Sequence, residues 1–505
     1  MHLTVIADGD ARVLEVDEGS TILHALQDLG APVHAACGGA GTCGKCRVLV
    51  RDGDGLSYRL ACQTVVEDGM LVFLEADGGA MNVAETGYAS PYPADQGEEG
   101  SLGLAFDIGT TTVVCHLHRL SDGVRLATVS CSNPQLAHGA DVISRINASM
   151  QGRLELMRDA IVTCMRELAD EALSSAGLPC GQGVSNTVIA GNTVMEHIAC
   201  GLPPDSIGTA PFEPLSLFGD ERVIEGYNEK AFLMPCIAGY VGGDITAGLV
   251  ATGFRARALP SVFIDVGTNG EMVIGCGDRM IACATAAGPA FEGANITCGM
   301  PALPGAISRV KVGEDRLDFE VVGGAVPIGI CGSALIDALA VLLDLGVVDE
   351  TGRILGEDEI DGWQAGLVGE VGGSPVVFIA RDADIFLTQR DIRNIQLAKA
   401  AICGGVLTLL DEYGIGMGDV DELLIAGGFG SHIDVGNAAR IGLFPPELAG
   451  RARSVGNAAG EGASAVLVSG AAREALSHVV EACGYLELST SAAFNEHYVE
   501  CMGFE

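Results

Sequence analysis

The chain opens on two short alternations of apolar and polar residues. Positions 2–6 and 12–16 alternate around Ala7-Asp8-Gly9-Asp10, which predicts two strands joined by a tight turn. Ser20 is placed to cap a short helix whose apolar face is Ile22, Leu23, Leu26 and Leu29 and which Gly30 ends. Further strands are predicted over 47–51 and 71–75. Beyond residue 101 strand patterns at 104–114, 125–130, 263–274 and 279–284 alternate with helical spacing at 141–148, 155–176, 333–345, 391–413 and 461–483. Strands alternating with helices predict α/β layers. Residues 78–101, rich in Gly, Ala, Pro and acid, read as a linker, either a free tether or a loop laid along the surface.

Strand hairpin, helix and further strands follow the order of a β-grasp domain over residues 1–77. Between its helix and its later strands lie Cys37, Cys43 and Cys46, with Cys62 further on, spaced C-x5-C-x2-C-x15-C. Iron–sulfur clusters take thiolates converging from a loop and one distant strand. Gly38, Gly39, Gly41 and Gly44 let such a loop wrap closely and turn N–H groups toward sulfur. A zinc site usually takes paired C-x2-C knuckles, and here the fourth Cys has no near partner. The four cysteines are therefore assigned to an iron–sulfur cluster; the loop, one residue longer than the plant-type C-x4-C-x2-C, and the Arg59-Leu-Ala-Cys62 run resemble the adrenodoxin-like ferredoxins, which implies a 2Fe–2S cluster.

The rest of the chain repeats one unit. Leu104-Ala-Phe-Asp107-Ile-Gly109-Thr110-Thr111-Thr112 returns as Phe263-Ile-Asp265-Val-Gly267-Thr268-Asn269-Gly270-Glu271, each a strand, an Asp, a Gly-Thr turn and a second strand. Gly allows the bend and exposes N–H groups, Thr hydroxyls donate to phosphate oxygens, and the Asp before the turn suits a water-bridged Mg2+. Two such hairpins in separate lobes, 102–257 and 258–505, can close on a triphosphate from both sides. A third turn, Gly427-Gly428-Phe429-Gly430 after an apolar strand, suits an adenosine lying against backbone. Asp244, in Gly239-Tyr-Val-Gly-Gly-Asp244, is either a base acting on water or on a sugar hydroxyl, or a helix cap.

Composition narrows the partners. The 505 residues carry a formal net charge of −38, which repels phosphate backbones and anionic lipid, so nucleic acid and membrane surfaces are not expected partners. No basic leader and no long uncharged apolar run appear. Seventeen cysteines, an odd number, argue for a reducing compartment rather than a disulfide framework, and with the missing leader place the chain in the cytoplasm.

The order of phosphate loop, phosphate loop and Gly-Gly turn resembles the superfamily of actin, sugar kinases and heat-shock ATPases, whose core is RNase H-like. Fused to a C-x5-C-x2-C-x15-C domain, it resembles the reductive activators of corrinoid proteins. The likeness extends through Asn192-Thr193, Ala286-Ala-Gly288-Pro289-Ala-Phe291-Glu292-Gly293, Cys331-Gly332-Ser333 and the tail. The joining segment is shorter than that family's usual linker. The resemblance implies an α/β and α+β multidomain chain, a β-grasp 2Fe–2S domain followed by a duplicated actin-like ATPase. It implies a cluster, ATP and Mg2+ as cofactors, a corrinoid protein of a methyltransferase system as partner, and reduced ferredoxin or a reductase as electron donor. By resemblance alone it also implies a homodimer. The activity implied is return of Co(II) to Co(I), coupled to ATP hydrolysis. One rival is an activator of a radical or dehydratase enzyme, with a 4Fe–4S cluster held through Cys298 or Cys331. Another is a small-molecule kinase, which has no use for a redox cluster.

Overall fold

The computed structural model describes residues 1–504 except 8–9, 32, 34, 36, 42–44, 53–54, 75–90, 96, 228–229, 294 and 428–432. Its first unit contains β1 (His2–Ala7), β2 (Asp10–Glu15), α1 (Ile22–Leu29), β3 (Arg47–Asp52), β4 (Gly55–Leu60) and β5 (Met70–Leu74). The sheet order is β2-β1-β5-β3-β4, with β1 and β5 parallel and the other pairs antiparallel. The apolar face of α1, Ile22, Leu23 and Leu26, packs on Leu3, Val5, Val48, Val50 and Val72. Thr21 rather than Ser20 caps α1, its hydroxyl accepting from His24 N–H. Ser20 instead gives its carbonyl to Val66 N–H, which draws it into the neighbouring strand segment. Strand β4 has no counterpart in the apolar pattern; it is an edge strand with Tyr58 exposed, so burial leaves little mark on its sequence.

The first lobe starts with the antiparallel strands β6 (Leu102–Ile108), β7 (Thr112–Arg119) and β8 (Arg125–Ser132). Then come α2 (Val142–Ala148), α3 (Leu154–Ser175), β9 (Asn186–Gly191), α4 (Thr193–Ala199), β10 (Glu221–Val223), β11 (Lys230–Leu233) and α5 (Gly243–Ala251). Strand β9 lies parallel beside β6, giving the order β10-β11-β9-β6-β7-β8.

The second lobe repeats the plan with β12 (Ser261–Val266), β13 (Gly270–Cys276) and β14 (Arg279–Thr285). It is then interrupted by β15 (Ala306–Val312), β16 (Leu317–Val321), β17 (Gly329–Ile330), α6 (Gly332–Asp344), β18 (Val368–Val371), β19 (Ser374–Ala380) and β20 (Ile385–Thr388). Next are α7 (Gln389–Tyr413), β21 (Leu423–Ala426), α8 (Val435–Arg440), β22 (Ala452–Gly456), α9 (Ala458–Val468), α10 (Gly470–Ala482), β23 (Cys483–Tyr485) and α11 (Ala492–Glu500). In the order β22-β21-β12-β13-β14-β23, β21 lies parallel to β12 just as β9 lies parallel to β6. The duplicated hairpin thus opens each lobe's sheet.

The helix expected over 461–483 is two helices. Ser469 is extended, φ −135° and ψ 124°, and its hydroxyl accepts from Ala472 N–H to cap α10. The break turns α9 onto α5, where Gly462 meets the Ala247 carbonyl too closely for a Cβ. Asp95, at the end of the linker, serves the same break: its N–H donates to Val468 O at 2.9 Å and its carboxylate accepts from Gly470 N–H at 2.7 Å. Tyr92 and Ala94 pack on the same core, so this end of the linker lies along the second lobe. Among the described residues no helix is long and apolar enough to cross a membrane.

Candidate functional site

The cluster loop begins after α1. Gly38, Gly39 and Gly41 take φ of 58°, 94° and 74°, a left-handed run that only glycine adopts without strain. Gly39 presses on Leu23, and the Gly41 carbonyl accepts from Gln63 at 3.2 Å, so the loop from Cys37 folds back on the turn carrying Cys62. Cys62 N–H points at the Cys46 sulfur at 3.5 Å, and Ala61 N–H donates to Cys46 O at 2.7 Å. Cys46 is buried, while Cys37 and Cys62 are half-buried. Cys43 and Gly44 lie outside the described residues. An N–H aimed at a thiolate sulfur, on a loop of glycines, fits a negatively charged iron–sulfur group.

The second site is a cavity of about 420 Å3 between the lobes. Asp107, Gly109, Thr110, Thr111 and Thr112 line it from the β6–β7 turn, and Asp265, Gly267, Thr268, Asn269 and Glu271 from the β12–β13 turn. Gly270, which opens β13, is not on the lining; it packs on Ile402. Both turns are closed by a bond from their glycine, over three residues in the first, where Gly109 N–H donates to Thr112 O at 3.0 Å, and over two in the second, where Gly267 N–H donates to Asn269 O at 3.0 Å. Their tips nearly touch, with Thr110 and Thr268 hydroxyls 3.4 Å apart. Gly427 adds to the lining, with φ 119° and no room for a Cβ against Val266 O. Gly428, Phe429 and Gly430 lie outside the described residues.

Asp244 stands in the first turn of α5, whose N-cap is Gly242, and its carboxylate accepts from Ile245 N–H at 2.8 Å. It is thus not the capping residue; it lines the cavity. Asn457 caps α9, Cys331 caps α6 and Asn192 caps α4 at the same cavity, so with α5 four helix N-termini face it, a favourable field for an anion.

Pattern reading singles out neither Asn457, Arg145 nor Glu292 for a role. Arg145 is fully buried and donates to Gly139 O, Gln135 Oε1 and the Thr110 carbonyl, fixing the first turn from below. Glu292 accepts from Thr111 in the first lobe at 2.6 Å and from Thr268 in the second at 2.8 Å. Cys331 and Cys298 are a buried N-cap beside Ser333 and a half-buried thiol near Asp384 O.

Crowding of carboxylates sets the electrostatics. Burial pushes Asp107 up to about 6, with a hydrogen bond from Asn457 opposing. Burial and then the Asp107 charge bring Asp244 to about 7. Burial, then Asp244 and Asp107, bring Asp265 to about 8. Glu271 is raised well above the carboxylate range by burial, Asp244 and Asp265. Buried like charges with no cation between them disfavour ionisation, and a divalent ion reverses that. Among the described residues no three carboxylates form a closed metal cage. An ion held largely by water and by a bound phosphate is consistent with that arrangement.

Comparison with known proteins agrees with the geometry. Residues 5–67 match the 2Fe–2S iron-sulfur cluster binding domain, 102–257 the RACo middle region, and 260–505 the C-terminal domain of RACo, the ASKHA domain. The chain is 30% identical to the corrinoid activation enzyme RamQ of Eubacterium limosum over 96% of both chains. It is 24% identical to the [Co(II) methylated amine-specific corrinoid protein] reductase of Methanosarcina barkeri, over 68% of this chain and 66% of that one. The solved structure of a reductive activator for corrinoid, iron-sulfur protein overlays with TM-score 0.72 at 30% identity, over 99% of this chain and 98% of that one. With cluster loop, duplicated hairpins and full-length likeness together, the chain belongs to the family of ATP-dependent reductive activators of corrinoid proteins, in which a 2Fe–2S domain is joined to an ASKHA ATPase.

Proposed function

We propose that this chain returns the Co(II) corrinoid of a methyltransferase system to Co(I), one electron at a time, driven by ATP. Cys37, Cys43, Cys46 and Cys62 hold the 2Fe–2S cluster, which when bound supplies a one-electron carrier; the plant-type relative sits at about −400 mV. Reduced ferredoxin or a reductase donates the electron. Thr110, Thr111, Thr112, Thr268 and Asn269 grip the phosphates, with Gly109, Gly267 and Gly270 shaping the turns. Asp107 and Asp265 orient Mg2+ through its waters, helped by Glu271. Asp244 orients the attacking water. Gly427, Gly428, Phe429 and Gly430 take the adenosine. Reduction of Co(II) is uphill from such a cluster, so ATP acts by its unequal affinity for two lobe arrangements. The observation that carries this reading is the pair of Asp–Gly–Thr turns meeting tip to tip in a cavity faced by the N-termini of α4, α5, α6 and α9. The test mixes the cluster-loaded protein, a reductant and a Co(II) corrinoid protein of a methyltransferase system. The Co(I) absorption band is expected only with MgATP, and its growth without nucleotide overturns the reading.

The same site predicts a pH effect. Asp107, Asp244 and Asp265 hold their protons more tightly in the fold than in the open chain. Their cost is absent below about pH 4 and grows as pH rises through about 8, because the unfolded chain releases those protons first. The nucleotide-free melting temperature therefore falls from pH 5 to pH 8.5, each carboxyl costing on the order of a few kcal/mol at the upper end. Added Mg2+ with ATP raises it more at pH 8.5 than at pH 5.5. Scanning calorimetry across that range, with and without MgATP, checks both signs.

A further inference from the structure

The 2Fe–2S domain touches both jaws of the cleft, and it does so with different residues. On the first lobe, Gln27 donates to the Ala137 carbonyl, and Arg153 reaches His24 at 3.2 Å and Asp28 at 3.5 Å. Gly38, next to the cluster ligand Cys37, lies against the His138 carbonyl, which a Cβ there would meet at 3.2 Å. On the second lobe the contact is Lys45, the residue before the ligand Cys46. Its ammonium donates to Ile296 O at 3.1 Å and Gly299 O at 3.0 Å.

Those two carbonyls belong to the stretch that begins at Glu292. Gly293, φ 77°, is pressed against the Met300 backbone with no room for a Cβ, and Gly299 N–H donates to Ile296 O at 3.1 Å. Thr297 is tied to Asp391 in the first turn of α7, and Asn295 O accepts from Asn394 at 2.8 Å. Gly332 abuts the Phe291 carbonyl just before Glu292. The stretch therefore moves as part of the second lobe. At its start, Glu292 joins that lobe to the first by accepting from both Thr111 and Thr268. A carboxylate between two threonine hydroxyls occupies the kind of place a phosphate oxygen takes, and an arriving phosphate competes for the same donors.

We propose that Lys45 is a positioning residue for electron transfer: while Glu292 bridges the phosphate turns, this lysine ties the cluster loop to the second lobe, and ATP binding breaks the tie. This rests on the cleft being the ATP site. When phosphate takes the Thr111 and Thr268 hydroxyls, Glu292 no longer bridges the lobes and they shift relative to one another. A domain held to both jaws cannot keep both sets of contacts through such a shift. Lys45 holds the second lobe through a compact charge on a flexible four-carbon stem, so its contact is the one that yields, freeing the cluster loop to face a partner. The charge on Lys45 suits the role, because an ammonium between two carbonyls is readily exchanged for water.

By reciprocity, a contact that ATP breaks must oppose ATP binding. In the full-length, cluster-loaded protein, Lys45→Met is expected to lower the dissociation constant for MgATP by about fivefold or more in calorimetric titration. Lys45→Arg, which keeps a cationic donor, is expected to stay near the parent value. In a Glu292→Gln background the bridge is already weakened, so adding Lys45→Met is expected to change the constant little. The electron paramagnetic resonance line shape of the reduced cluster is expected to change on MgATP addition in the parent protein and hardly at all in Lys45→Met. An unchanged or weaker affinity in Lys45→Met overturns the proposal while leaving the ATP site standing. A parent protein that takes up no MgATP overturns the ATP site and the proposal together. Should Glu292→Gln not fold, the Lys45 variants decide alone, since Lys45 sits at a domain surface rather than in a core.

Discussion

Cys62→Ser is expected to abolish Co(I) formation while leaving ATP turnover intact. Cys62 follows β4, and its own N–H points at the Cys46 sulfur, so its backbone is already set for the cluster whatever its side chain. A hydroxyl in place of the thiol removes one of four soft ligands at neutral pH. The visible absorption and the reduced-state paramagnetic signal are expected to fall sharply, and Co(I) formation to drop to the rate without protein. The domain itself is expected to keep its fold. Its core of Leu3, Val5, Leu26, Val48, Val50 and Val72 does not depend on Cys62, which is only half-buried. Among the described residues, none that lines the cavity comes from this domain, so ATP hydrolysis is expected to persist. Loss of both activities together would show that the cluster ligand does more than carry iron, and retention of Co(I) formation would remove the cluster from the electron path.

How far these sites could be read from the sequence follows from how local their signals are. The cluster loop is written in a short run of Cys and Gly, and the two hairpins in a strand, an Asp and a Gly-Thr turn, because both kinds of chemistry need backbone of unusual closeness. Of the strands that complete each lobe's pairing, β21 is legible as an apolar run ahead of the Gly427 turn, whereas β9 is not singled out by pattern. What escapes has its cause far along the chain. Arg145 sits at helical spacing where a charged residue usually faces water, yet it is buried because three acceptors from other segments close over it. Glu292 reads as one acidic residue in a Gly-rich motif; its importance lies in two hydroxyls, one on each lobe. Lys45 is visible only as a neighbour of Cys46, since its acceptors, Ile296 and Gly299, lie 251 and 254 residues further along the chain. Ser469 breaks an Ala-rich helical pattern; as a capping residue followed by Gly470 it carries a local signal, which the surrounding alanines mask. The two small inserted sheets, β15 to β17 and β18 to β20, carry exposed strands such as Leu317–Val321 and so show little apolar alternation.

Asp265→Asn is expected to cut ATP turnover by about 10²–10³-fold while making the nucleotide-free protein more stable. The two signs have one origin. Asp265, the penultimate residue of β12, is half-buried and faces Asp244, Asp107 and Glu292, and desolvation with that crowd holds its carboxyl up at about 8. Without a cation the charged form is penalised, and an amide of the same shape carries no such penalty. The gain in melting temperature is therefore expected to be small near pH 5, where the carboxyl is protonated in the fold, and to grow toward pH 8.5 as the parent protein is forced to ionise. Glu271, whose proton is held partly by the Asp265 charge, is expected to titrate at lower pH in the variant. On the proposed Mg2+ role, activity is expected to move the other way: a carboxylate is favoured once an ion and a triphosphate are present, and an amide would offer the ion's waters a neutral acceptor in place of an anion. The cluster's paramagnetic signal is expected to be unchanged, since Asp265 is not part of the cluster domain. Measuring ATP turnover, the melting temperature at both pH values and the cluster signal on one preparation separates this from simple misfolding, which lowers all three. A variant that loses stability at pH 8.5, or that turns over ATP at the parent rate, removes Asp265 from the metal site.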